Sequence, residues 1–238
     1  MKKYEKIASI LEQEIFKDVY KENELLPSEH QLTELYGASR QTVRTALKLL
    51  EDKGLIQRRQ GFGSIVIAHD KLRFPISGLT SYKELQESMG FVSETEVVSF
   101  ETITIDEKLE KLTQFPLGSE VFRILRQRKI DGKAYVLDLD YLRKDRCPEL
   151  SPEIAKDSIY QYLENVLGLH IAYAQKEITV DFVHDDDRKY LDLGQQDRHV
   201  VSIKSQVFLF DNSLFQYTES RHQVDKFRFT EFARRQKR

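Results

Sequence analysis

One cysteine, no tryptophan, two methionines and five prolines are spread over 238 residues, and each scarcity closes off a class of protein. The lone Cys147 rules out an intrachain disulfide and a cysteine-rich zinc site. Beside Pro148 it has no motif of its own and reads as an inert thiol. No apolar run is long enough to span a bilayer. Acids interrupt the apolar positions of the opening MKKYEKIASILEQEIF, so it does not read as a signal peptide, and a cytoplasmic address without a membrane partner is expected. Charge of one sign is also missing: 37 Lys+Arg against 39 Asp+Glu leave a net charge of −2. A nucleic-acid binder with that balance must concentrate its positive charge locally. There is no internal repeat, low-complexity tract, nucleophile elbow, metal-ligand cluster or acid pair of defined spacing, so no catalytic residue, metal or cofactor is expected.

What is present begins with Leu26 to Val66. Ser28 follows Pro27 and has Gln31 three residues on, the mark of a capped helix start. That helix carries Leu32 and Leu35 and stops at Gly37, where positive φ has no steric cost. Ser39 caps a second helix in which Val43, Ala46, Leu47 and Leu50 recur at helical spacing before Gly54. Two helices joined through a glycine turn are a helix-turn-helix, with the second helix available to a DNA groove. Its polar side holds Ser39, Arg40, Gln41, Thr42 and Arg44. Arginine reads guanine bidentately and glutamine reads adenine, while hydroxyls and helix-start amides suit phosphates. Leu55–Arg59 and Ser64–Ala68 read as a hairpin, or wing, turning through Gln60–Gly63. Arg58 and Arg59 would flank the phosphate backbone, with Gln60 and Gly61 at the tip in the minor groove. A nucleotide loop at Gly61-Phe62-Gly63 is rejected because a strand, not a helix, follows. Ahead of this stretch, Lys3 to about Val19 is amphipathic, with Ile7, Ile10, Leu11 and Ile15 on one face to complete a three-helix core.

A short charged stretch ending at Pro75 marks a boundary. The expected division is 1–69, a linker at 70–76, and 77–238. Alternating runs at 94–104, 121–130, 134–141, 172–180, 200–210 and 214–221 predict strands, and 81–89, 106–112, 159–166 and 185–191 predict helices. Asp131-Gly132 is a strong hairpin signal. The fold class is α+β, a winged helix-turn-helix domain followed by a domain around a mostly antiparallel sheet. Asp185-Asp186-Asp187 reads as a helix start complementing the dipole, not as a metal site. The basic stretch 234–238 reads as an exposed tail. Thr80-Ser81 and Ser158 stand at helix starts, which suit phosphate. Arg126 and Arg128 share a strand face, Asp138 lies across the hairpin, and Gln216, Thr218 and Ser220 alternate with Tyr217, Glu219 and Arg221. These residues could form an anion-and-sugar pocket, or equally a network of salt bridges such as Arg126–Asp138 or Glu219–Arg221.

Leu26-Pro27-Ser28-Glu29, Tyr36-Gly37, Ser39-Arg40, Thr42-Val43-Arg44, Ala46-Leu47, Gly54-Leu55-Ile56 and Gly61-Phe62-Gly63 together resemble the winged-helix signature of the GntR family of bacterial repressors. Leu79 to Tyr82, Arg126 to Arg128, Ser158 to Tyr160 and Phe215 to Tyr217 are similar to the UTRA effector domain of its HutC subgroup, which has a chorismate-lyase-like fold. Phe74 to Leu79, Tyr173 to Ile178 and Asp225 to Phe229 look most like the trehalose operon repressors within it. The resemblance implies a homodimer on an inverted-repeat operator in double-stranded DNA, released by a small phosphosugar such as trehalose 6-phosphate. It implies DNA contacts from Ser39, Arg40, Gln41, Thr42 and Arg44, and from His30, which stands where relatives often place an arginine. It further implies that Thr80, Ser81, Arg126, Ser158 and Tyr160 hold the phosphate and that Arg128, Asp138, Gln216 and Glu219 approach the sugar. Two other functions compete with that one: an enzyme built on a lyase-like fold, and an architectural DNA-binding protein without an effector.

Overall fold

A computed structural model of the chain describes residues 2–59, 61–67, 79–89 and 91–229. The linker expected at 70–76, Gln60 and the basic stretch 234–238 lie outside the described residues. The described residues divide into two compact units, the first up to Ile67 together with Phe229 and the second from Leu79 to Arg228.

In the first unit α1 (Lys3–Phe16), α2 (Glu29–Tyr36) and α3 (Arg40–Asp52) precede the hairpin of β1 (Ile56–Arg59) and β2 (Gly63–Val66). The local chemistry matches the reading of the residues. The Ser28 hydroxyl accepts from the Gln31 amide, and the Gln31 side chain returns the bond to Ser28. Gly37 takes a left-handed φ of 53°, and Ser39 accepts from Thr42. One core joins Ile7, Leu11 and Ile15 of α1 to Leu32, Val43, Leu47, Leu50 and Ile56. Two expectations fail here. Ala8 rather than Ile10 completes the buried stripe of α1, and Leu35 is 64% exposed, leaving Leu32 as the buried residue of α2. One pairing was not expected: Leu25 meets Ile65 of the wing in an isolated antiparallel bridge.

In the second unit α4 (Tyr82–Met89), β3 (Ser93–Thr104), α5 (Glu107–Thr113), β4 (Glu120–Ile130), β5 (Lys133–Arg143), α6 (Pro152–Asp157), α7 (Ile159–Gln161), β6 (Ile171–Phe182), α8 (Asp185–Tyr190), β7 (His199–Leu209) and β8 (Leu214–Gln223) follow in order. The chain widens into a π turn at Tyr162–Val166 directly after α7. All six expected strands form one sheet in the order β3-β4-β5-β8-β7-β6, and every pairing is antiparallel. Asp131 and Gly132 both have positive φ, 51° and 74°, as a two-residue hairpin turn twisted to match its strands requires. α6 was not among the expected helices, although Ser151 caps it and Pro152 opens it. On one sheet face Phe122, Ile124 and Leu142 pack with Ala155, Ile159 and Leu163 of the α6–α7 segment. The other face packs Leu125, Leu137 and Val200 with Leu191 beyond α8.

Candidate functional site

The first unit presents a polar surface built from α2, α3 and the wing. Ser39, Arg40, Gln41 and Arg44 are exposed along the start of α3, opposite the buried Val43, Ala46 and Leu47, and Thr42, whose amide donates to the Ser39 hydroxyl, is half-buried. Gly61, Phe62 and Gly63 are exposed at the wing tip, with Arg59 beside them and Arg58 half-buried. His30 is exposed on α2 and faces Glu34 one turn on, 3.5 Å away. Arg44 Nε donates to Glu29 Oε2 at 2.8 Å and Arg58 Nη2 donates to Glu29 Oε1 at 2.7 Å, so one carboxylate joins three elements.

The second unit holds a buried polar layer where β4, β5 and β8 present alternate residues toward the α6–α7 side. Arg126 sends Nε and Nη2 to Asp140 Oδ2, the closer contact 2.7 Å, and Nη1 to the Ala155 carbonyl. Arg128 Nε donates to Asp138 Oδ2 at 2.9 Å, and Arg128 also binds the Thr95 hydroxyl. Ser220 donates to Asp138, and Gln216 Nε2 donates to Asp140 Oδ1 at 2.8 Å. The Arg128 guanidinium lies 4.4 Å from the ring centre of Tyr82, the first residue of α4. Helix starts converge on this layer. Ser81 and Glu84 form reciprocal cap bonds at the head of α4, Ser158 caps α7, and Lys83 reaches Asp157 at 2.6 Å.

Electrostatics bind the layer together. Burial weakens the charge on Arg126, but Asp140 and then Asp138 more than restore it, so its pKa stands above the ordinary value. Burial and the neighbouring Arg126 lower that of Arg128. Burial would lift Asp138, yet Arg128 and Arg126 hold it below the usual carboxylate range. Burial, reinforced by Asp140, keeps the Tyr160 phenol firmly protonated. Two guanidinium groups and two carboxylates cancel, while Gln216 Oε1, buried among these charges, has no hydrogen-bond partner among the described residues.

Two sequence comparisons and one of structure place the chain among known proteins. Residues 3–66 match the model of bacterial regulatory proteins of the gntR family, and residues 88–228 match the UTRA domain. The HTH-type transcriptional regulator TreR of Bacillus subtilis is 47% identical over 94% of this chain and 97% of its own length. The chain belongs to the GntR family. Within it, the chain is a transcriptional repressor of the GntR/HutC type and not an enzyme. The effector-binding domain of the B. subtilis trehalose repressor shares 46% identity and superposes with a TM-score of 0.55, covering 60% of this chain and 99% of that domain. YydK of B. subtilis, a possible transcriptional regulator at 24% identity, has the same fold, with a TM-score of 0.79 over 98% of this chain and all of its own.

Against that GntR background the expected site residues fall into place unevenly. Arg126, Arg128, Asp138 and Gln216 come together in the polar layer, Tyr160 is close enough to be felt by Arg126, and Ser81 and Ser158 cap the helices beside it. Thr80 is exposed just before α4. Glu219 must be corrected: three residues from Gln216 in one strand, it stands on the opposite sheet face and pairs with Arg221 at 2.6 Å, away from the sugar role expected of it. Of the two salt bridges read as the alternative, Glu219–Arg221 forms as expected, whereas Arg126 pairs with Asp140 rather than with Asp138 opposite it in the register. Asp187 of the acidic triplet is fully buried and clamps Arg221 through both oxygens at 2.8 Å. Asp140, Tyr82 and Glu29 were missed. Asp140 repeats Asp138 at the strand period and could have been found, whereas Tyr82 and Glu29 are brought in by tertiary packing.

Proposed function

We propose that the chain acts as a homodimeric repressor of a trehalose-utilisation operon, bound to an inverted-repeat operator and released by a phosphosugar, trehalose 6-phosphate. The observation that carries this is the buried polar layer with the unused acceptor of Gln216. A layer whose own charges cancel favours a ligand that both gives and takes hydrogen bonds. Sugar hydroxyls suit Gln216 Oε1, Asp138 and Arg128. Thr80, Ser81, Ser158, Tyr160 and Arg126 are the proposed phosphate holders, with Arg126 released from Asp140 as the anion arrives. Ser39, Arg40, Gln41, Thr42, Arg44, His30 and the wing from Arg58 to Gly61 are the proposed DNA contacts. The name of the 47%-identical TreR relative and of the trehalose repressor domain support the choice of operon. Two wings and two α3 helices about one helical turn apart suit a palindrome.

Release follows from linkage: a ligand preferring a conformation with badly spaced DNA-reading heads weakens operator affinity by the factor by which DNA weakens ligand binding. The test is titration of DNA-bound protein, followed by fluorescence anisotropy, with trehalose 6-phosphate, glucose 6-phosphate, glucosamine 6-phosphate and inorganic phosphate. Release by trehalose 6-phosphate at the lowest concentration is expected. No release by any, with no change in melting temperature, returns the chain to a DNA-binding protein without an effector.

A further inference from the structure

Glu29 is an acid on a surface meant for a polyanion. It is the first residue of α2, enclosed by the capping box that Ser28 and Gln31 form around it, so its backbone is fixed. One oxygen takes Arg44 Nε from α3 and the other takes Arg58 Nη2 from β1, so neither arginine displaces its rival. The carboxylate is itself about two-thirds covered, while Arg44 keeps 58% of its side chain exposed. Among the described residues Arg44 engages through Nε alone, so its two terminal nitrogens, the fork that reads a guanine edge, take no partner there.

We propose that Glu29 is a positioning residue for DNA reading: it aims Arg44 of α3 and Arg58 of the wing together, and so raises discrimination between sequences instead of overall affinity. The inference rests on the operator-binding reading above. An arginine held in advance loses less rotamer freedom on binding, and two arginines tied to one carboxylate keep α3 and the wing in a common frame. Simple charge accounting predicts the reverse. Removing an anion from a DNA-facing surface should tighten binding to any duplex. The two accounts differ in sign, which makes them separable.

The experiment uses the full chain, a duplex carrying the sequence that the wild-type protein itself selects from a random pool, and a scrambled duplex of equal length. Glu29→Ala is expected to bind the selected duplex about tenfold more weakly while binding the scrambled one as well as wild type or better, with an unchanged salt slope. Glu29→Gln, which keeps an acceptor for one arginine, should fall between. In the Arg44→Ala, Arg58→Ala background, Glu29→Ala should change selected-duplex affinity by less than about twofold, since nothing remains to be aimed. Equal or tighter binding of the selected duplex by Glu29→Ala overturns the proposal, and so does a full additional loss in the double-variant background. If the alanine variant melts earlier than wild type, the isosteric Glu29→Gln decides: a wild-type ratio of the two affinities overturns the proposal, and a lowered ratio supports it. A wild-type chain that selects no sequence overturns the operator-binding reading along with it.

Discussion

Arg126 and Asp140 face each other at 2.7 Å with side-chain exposures of 9% and 1%, and at such depth a charge is tolerated only with its partner. Arg126→Ala should therefore destabilise the second unit by about 3–5 kcal/mol, read as a lower denaturation midpoint, and Arg126→Ala with Asp140→Ala should recover part of the loss. A defect of that variant in effector response would thus be partly one of folding. His222 sits on the same sheet face, where burial, opposed by Asp138, pushes its pKa down to about 4 from 6.5. Between those values the unfolded chain takes up a proton that the folded chain refuses. Stability therefore rises with pH in that window and is lost as pH falls from about 6.5 to about 4, by up to about 3 kcal/mol. Asp138, held low by its arginines, contributes stability present above its ordinary pKa near 3.8, which goes only at more acid pH, as it too is protonated. Denaturant unfolding at pH 4.5 and 7 should show the first loss in the wild type and a flatter profile in His222→Gln.

Helix ends and the tight hairpin were legible in the residues because they are decided within four or five positions. Ser28→Ala removes an acceptor used by the Gln31 amide and should cost the first unit about 1 kcal/mol. Gly132→Ala meets no atom within 4 Å, so its cost, about 1 kcal/mol, is the strain of a positive φ alone. Both are measurable by urea unfolding, fitted with a separate transition for each unit. Strand periodicity likewise exposed the six strands and the shared face of Arg126 and Arg128. Partner choice was not legible. Ladder irregularities at Val97/Ser99, Arg128/Lys129 and Val207/Phe208 shift which residues lie opposite, and local pattern carries no trace of them. Arg221 with Asp187, 34 positions apart, and Glu29 with Arg58, 29 apart, meet only through packing. Glu219 is a different case. Its odd separation from Gln216 in β8 places the two side chains on opposite sheet faces.

At the scale of the whole chain, DNA reading and ligand sensing are carried by different units, which should make their defects separable. Gln216→Leu, which removes the unused acceptor together with the donor to Asp140, should leave operator affinity intact while raising the concentration of the proposed phosphosugar needed for release roughly tenfold. Arg44→Ala should weaken operator binding and leave the phosphosugar-induced rise in melting temperature unchanged. Both are checked by anisotropy and thermal melting on the same samples, and matching phenotypes would break the division of labour. Cys147 is fully buried, and burial followed by Asp145 lifts its thiol to about 12. At pH 7.5 its thiolate fraction is on the order of 10⁻⁴ or less. A new cysteine at Phe62, 77% exposed at the wing tip, would take a maleimide spin label without removing the native thiol. In the homodimer proposed above, paired labels on the two tips would report, as a distribution of distances, whether the tip-to-tip separation changes when the proposed phosphosugar is added.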